Sequence, residues 1–157
     1  MITWAFAKPG EETETLSSLV ADRIWPTKGR NFGECAAIAV MEDDKLAAGL
    51  IYHNYDPDAH VIEISGAAWV KGWLTRSVLR AMYGYPFIDC GCQAVIQRVS
   101  DDDMAQHRML KAYGAERYRI PRLRGETAAE NIFLTTREAW AANKFQSKEA
   151  LRGKAGV

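Results

Sequence analysis

The chain is poor in cysteine, has no excess charge of either sign and lacks any long apolar run. Its three cysteines, Cys35, Cys90 and Cys92, are odd in number. A single glycine separates the last two, a spacing that favours neither a bridge between them nor a four-ligand zinc site. Reduced thiols are therefore expected. Lys plus Arg and Asp plus Glu number 20 each, so no global field recruits a polyanion, and affinity for nucleic acid would have to come from a local patch. No apolar run approaches a membrane span, and MITWAFAKPGEE carries no basic segment ahead of its short apolar run. These absences point to a cytoplasmic protein with no membrane partner. At 157 residues the chain suits one domain, and no internal repeat is visible.

What is present is a change of hydrophobic period between residues 60 and 115. Glu63 and Ser65 alternate with apolar neighbours; Val78, Leu79, Met82 and Phe87 recur at helical spacing; residues 94–99 alternate again; and a second helical pattern follows. The order is strand, loop, helix, strand, helix. Two strands joined by a crossover helix lie parallel, and the loop after the first brings the helix N-terminus and its unpaired N–H groups to the sheet edge, where a phosphate would be welcome.

Upstream, residues 2–7 read as a strand closed by Lys8-Pro9-Gly10. Glu11, Glu12 and Glu14 then open an amphipathic helix that Pro26 stops. Residues 27–34 form a polar loop; residues 35–41 and 46–54 form a hairpin; and a turn at 55–58 leads to the strand from His60. Gly49 marks a bulge or a close backbone approach. Downstream, a strand over 116–123 and another over 131–134 are followed by a helix capped by Thr135 or Thr136, with Trp140 on its buried face. Residues 1–145 are the expected domain, and 146–157 an expected flexible tail.

The central stretch, with YGYPF closing its first helix and DDDMAQHRMLKAYGA its second, resembles the acyl-CoA-binding half of the GNAT N-acyltransferase superfamily over roughly residues 35–140. That family commonly reads N-x-x-S-x-R-L-L-E-K-x-G-F where this chain has residues 103–115. Arg108, Leu110 and Gly114 fit, whereas Asp103, Gln106 and Ala115 stand for Asn, Ser and Phe. The family's phosphate loop, Arg or Gln, two residues, Gly, one residue, then Gly or Ala, falls on Val70, Trp73 and Thr75. Only Thr75 is small, and Gly72 is displaced by one position. Lys71 and Arg76 flank the loop and could supply phosphate charge in place of bare amides.

The resemblance implies an α/β (α+β) fold: one domain with a mixed, mainly antiparallel sheet of six or seven strands, splayed between the fourth and fifth, and helices on both faces. It implies acetyl-CoA as acyl donor, an amine of a small molecule or protein as acceptor, and no metal. Ala68, Trp69 and Val70 would pair with the pantetheine amides. Lys71, Gly72, Trp73, Leu74, Thr75 and Arg76 would hold the pyrophosphate, with Asp103 and Arg108 as further coenzyme contacts. The loop over 27–34 would cover the acceptor, chiefly through Arg30 and Phe32.

Amide formation from a thioester needs a base for the amine, a donor for the oxyanion and an acid for the thiolate. Glu63 is the base candidate; its plain alternative is a carboxylate that keeps a strand soluble. The family's usual acid, a tyrosine four residues before the helix-terminal glycine, is replaced by Leu110. Tyr113 and His107 share roughly its face and are the alternatives, with core or surface roles as the competing account. Asp101, Asp102 and Asp103 read as helix-capping residues. His53 and His60 make an incomplete metal pair. Arg117, Arg119, Arg122 and Arg124 are expected to share one strand face, which could meet phosphates of coenzyme or nucleic acid. A nucleic-acid-directed modifier or a non-catalytic binding protein is the rival reading, and a homodimer is left open.

Overall fold

The computed structural model describes residues 1–146. Seven strands form one sheet in the order β1-β2-β3-β4-β5-β7-β6. They are β1 (Ile2–Phe6), β2 (Cys35–Glu42), β3 (Lys45–Asp56), β4 (Val61–Ala68), β5 (Ala94–Ser100), β6 (Glu116–Gly125) and β7 (Ala128–Thr136). The helices are α1 (Glu11–Ile24), α2 (Arg76–Gly84), which runs into a wide turn over Tyr85–Asp89, α3 (Met104–Ala112) and α4 (Arg137–Ala142). All strand pairs are antiparallel except β4 with β5. That parallel contact is short: Val61, Ile62 and Glu63 pair with Ala94, Val95 and Ile96, and beyond Glu63 the two strands part. The splay expected between the fourth and fifth strands is thus present, with Glu63 at its apex.

The helices cover the two faces unequally. On one face α2 and α4 close the main core, in which Val78, Leu79, Met82, Tyr83 and Trp140 pack on Ile38, Leu50, Tyr52, Ile62 and Val95; α3 adds Leu110 against Val99 and Phe133. On the other, α1 packs Leu16, Val20 and Ala21 onto Ala37 and Ile51. It covers β2–β4 only, so that face of β5, β7 and β6 stays half open. Thr75 caps α2 by accepting from Val78 N at 3.3 Å, and Thr136, one of two expected caps, holds α4 through Ala139 N at 3.0 Å.

Two expectations change. The last strand extends well beyond 131–134 because it lies inside the sheet, paired with β5 along its length and with β6 on its far edge. The arginines of β6 do not share a face. Arg117 and Arg119 turn to Asp101, whereas Arg124 reaches Glu130, because odd and even positions of a strand point to opposite faces; the β6–β7 register also breaks between Ile120 and Gly125, where Arg122 has a positive φ of 68°. At the C-terminal end, Gln146 is buried and donates to the carbonyl of Tyr113 at 3.2 Å, so it belongs to the folded unit. The rest of the expected tail, 147–157, lies outside the described residues.

Candidate active site at the strand splay

The splay leaves one edge of β4 without a partner. In an antiparallel ladder the backbone groups of successive residues point alternately to one neighbour and to the other. Because Trp69 N donates to Ala47 O at 2.8 Å, the alternation turns Ser65 and Ala67 toward β3 and the N–H and C=O of Ile64, Gly66 and Ala68 away from it, toward the gap, where the Ala68 carbonyl also accepts from Arg23 Nη2 at 3.4 Å. The amides of Trp69 and Val70 are both spent on Ala47 O, at 2.8 and 3.2 Å. Of the three residues expected to pair with pantetheine, only Ala68 has the right aim. Ile64 and Gly66 share that aim.

Next comes the expected phosphate loop. The N–H groups of Lys71, Gly72, Trp73 and Leu74, and of Arg76 and Ser77 in the first turn of α2, have no acceptor among the described residues. Gly72 sits at a φ of +79°, with no atom within 4 Å of where a Cβ would stand. A helix N-terminus with this many free amides suits an anion. The Trp73 indole is half-buried against the α2 core. Lys71 and Arg76 are exposed beside the amides. These residues fit the pyrophosphate of a coenzyme.

At the apex, Glu63 is nearly sealed, its side chain 6% exposed. Asn54 Nδ2 donates to its Oε1 at 3.0 Å; His53 Nε2 lies 3.6 Å and Arg98 Nε 3.7 Å from its Oε2. His53 is placed by register, directly opposite Glu63 on β3, and its Nε2 is 2.8 Å from Ser65 Oγ. Burial lowers the His53 pKa and Arg98 lowers it further, against the opposing pull of Glu63, so the ring is neutral near pH 7. Phe32 from the 27–34 loop covers that ring at 4.7 Å; it rests in turn on Trp25, over which the Arg30 guanidinium sits at 4.1 Å. Arg98 also reaches a second sealed carboxylate, Glu130, at 3.9 Å.

No family model and no curated protein matches the sequence. Solved structures do match. A dodecameric spermidine N-acetyltransferase from Vibrio cholerae aligns with 90% of this chain and 96% of its own at a TM-score of 0.71 and 8% identity. A GCN5-related N-acetyltransferase from Brucella melitensis aligns with 76% of this chain and 57% of its own at a TM-score of 0.61 and 15% identity. A further structure assigned as an acetyltransferase is covered over 61% of its length, at a TM-score of 0.60 and 16% identity. The chain has the GNAT fold. Several of these GNAT structures are longer than this chain, which spans less than two thirds of the last two.

Within this GNAT frame the expected acid–base residues are not gathered together. His107 is buried under α3 with Nε2 at 2.8 Å from the carbonyl of Ser100 and its ring edge-on to Phe133. Phe133 and Glu63 belong to opposite faces of the sheet, so His107 does not meet the carboxylate. Its ring is held by these two contacts. Tyr113, at the end of α3, packs half-buried against Tyr83 and Phe145, and its hydroxyl has no hydrogen-bond partner among the described residues. Burial raises its pKa. Leu110, at the family's tyrosine position, is wholly buried. Asp103 caps α3 through Gln106 N at 3.2 Å, and Arg108 is exposed. Of the two histidines, His53 has its Nε2 turned to Ser65 and Glu63, and no metal-binding group of three appears among the described residues.

Proposed function

We propose that the protein is an acyl-CoA-dependent N-acyltransferase that moves an acetyl group from acetyl-CoA to an amine. The observation that carries this reading is the continuity of the open β4 edge, Ile64 to Ala68, with the free amides of the loop and the N-terminus of α2, with a sealed carboxylate at the other end. The edge offers backbone groups to an extended amide-bearing arm, the loop takes its phosphates, and the arm's reacting end then lies near Glu63.

In that arrangement Glu63, directly or through a water, takes a proton from the acceptor as its nitrogen attacks the thioester carbon. The N–C bond forms and the C–S bond breaks. Starting from an ammonium, two protons leave the nitrogen; the departing thiolate takes up one and solvent the other. Tyr113, packed with Tyr83 on the face of the sheet opposite Glu63, is the proposed donor to the thiolate as it leaves through the splay; its hydroxyl has no partner among the described residues, and burial keeps its phenol protonated. The rival nucleic-acid reading loses its main support, because the arginines of β6 divide between two faces and three of the four are engaged by Asp101 or Glu130. A cytoplasmic location belongs to the acyltransferase reading, and no helix among the described residues is long and apolar enough to cross a membrane. So does self-association, which the dodecameric relative makes worth measuring by light scattering.

A thermal-shift series with acetyl-CoA, propionyl-CoA and CoA tests the reading. Saturation at about a hundred times Kd adds about 2.7 kcal/mol, or several degrees in Tm for a chain of this length. No shift at millimolar coenzyme overturns it.

A further inference from the structure

We propose that the acceptor is a zwitterionic amine, an α-amino acid, with its ammonium at Glu63 and its carboxylate at Arg98. The proposal rests on the acyltransferase reading for the reaction, though not for binding. Its ground is the state of Arg98. The guanidinium lies 3.7 Å from Glu63 and 3.9 Å from Glu130, close enough for attraction but too long for hydrogen bonds, and it makes no hydrogen bond among the described residues. Its side chain is 44% exposed, whereas both carboxylates beside it are 6% exposed. The mouth of the site therefore presents a cation with an unspent planar fork of donors, and hides its anions behind it.

Such a fork matches a carboxylate in bidentate fashion. The ammonium and carboxylate of an α-amino acid are joined through one carbon, so their charges sit side by side as those of Glu63 and Arg98 do, and the two pairs can meet head to tail. Ile96, the register partner of Glu63, and Ile132, that of Arg98, share this face and are half-buried, which offers an apolar side chain a floor. A polyamine carries no anion and would meet the guanidinium first, so this site differs in charge from one that suits spermidine.

The test is calorimetric titration of L-leucine, L-leucinamide and spermidine into the protein, in buffer alone and with millimolar CoA, repeated with Arg98→Lys. Lysine keeps the charge between the two carboxylates and removes the fork. Leucine binding that weakens roughly tenfold or more on amidation supports the assignment, as does a matching loss for leucine alone in R98K with an unchanged melting curve. Leucinamide or spermidine binding as tightly as leucine overturns it, and so does the absence of leucine binding at millimolar concentration under both conditions. If acetyl-CoA raises Tm while leucine fails to bind, acyltransfer stands and this inference falls. If leucine binds as expected and acetyl-CoA has no effect, the converse holds.

Discussion

The backbone of Gly49 passes so close to α1 that a Cβ at this position would lie 2.7 Å from Cγ2 of Val20. Gly49 pairs with Ala39 on one side and Ala67 on the other, so three small residues cross β2, β3 and β4 in a row and form the trough in which α1 lies. Leu16 Cδ1, 2.9 Å from the same point, closes the other side. Gly49→Ala should cost about 1–3 kcal/mol in urea denaturation. A Val20→Ala background should shrink that increment, since the two sites share the contact; an equal penalty in both backgrounds would place the strain elsewhere.

The Trp73 indole is half-buried against the α2 core, at a place where the family resemblance would put glycine. Trp73→Gly should therefore lower stability by about 2 kcal/mol, part of it from loop entropy, and reduce the Tm shift given by acetyl-CoA. A gain in coenzyme affinity instead would show that the indole obstructs the loop. Differential scanning calorimetry with and without acetyl-CoA reads both effects.

Much of this was legible in the sequence, and the rest failed for identifiable reasons. The strand-loop-helix-strand order from β4 to β5 follows from period alone, and Gly49 advertised a close approach that α1 supplies. The surroundings of Glu63 were hidden, because they depend on register: His53 reaches it only through the β3–β4 pairing, and Arg98 only through a parallel contact three residues long. The surroundings of His107 were hidden because helical spacing places a side chain on a face without saying what that face covers; here it covers Phe133 and the Ser100 carbonyl. The arginine stripe carried its own warning, since positions 117 and 119 differ in parity from 122 and 124, and a regular strand cannot put both sets on one face.

Glu63→Gln separates catalysis from binding. The amide keeps the shape and can still meet Asn54, but takes no proton, so kcat for amine acetylation should fall by about 10²–10⁴, while the acetyl-CoA Tm shift stays as in the wild type. Retained turnover would remove Glu63 from the base role and leave it as a partner for Arg98 and His53.

His53 makes stability depend on pH in a definite direction. Its folded pKa is lowered, chiefly by burial and further by Arg98, while Glu63 opposes the shift from across the β3–β4 pair and Ser65 and Phe32 contribute no charge. A lowered folded pKa means that the unfolded chain binds the proton more readily, so the contribution is fully present above the ordinary histidine value, about 6.5. It is lost progressively as pH falls from there through the folded pKa. His53→Gln, which can still hydrogen-bond Ser65, should remove this part of the dependence. The stability difference between wild type and variant should be constant from pH 8 to about 7 and should shift against the wild type below about 6.5. A difference that moved in favour of the wild type on acidification would mean that Glu63 outweighs burial, and that the ring is charged in the folded protein.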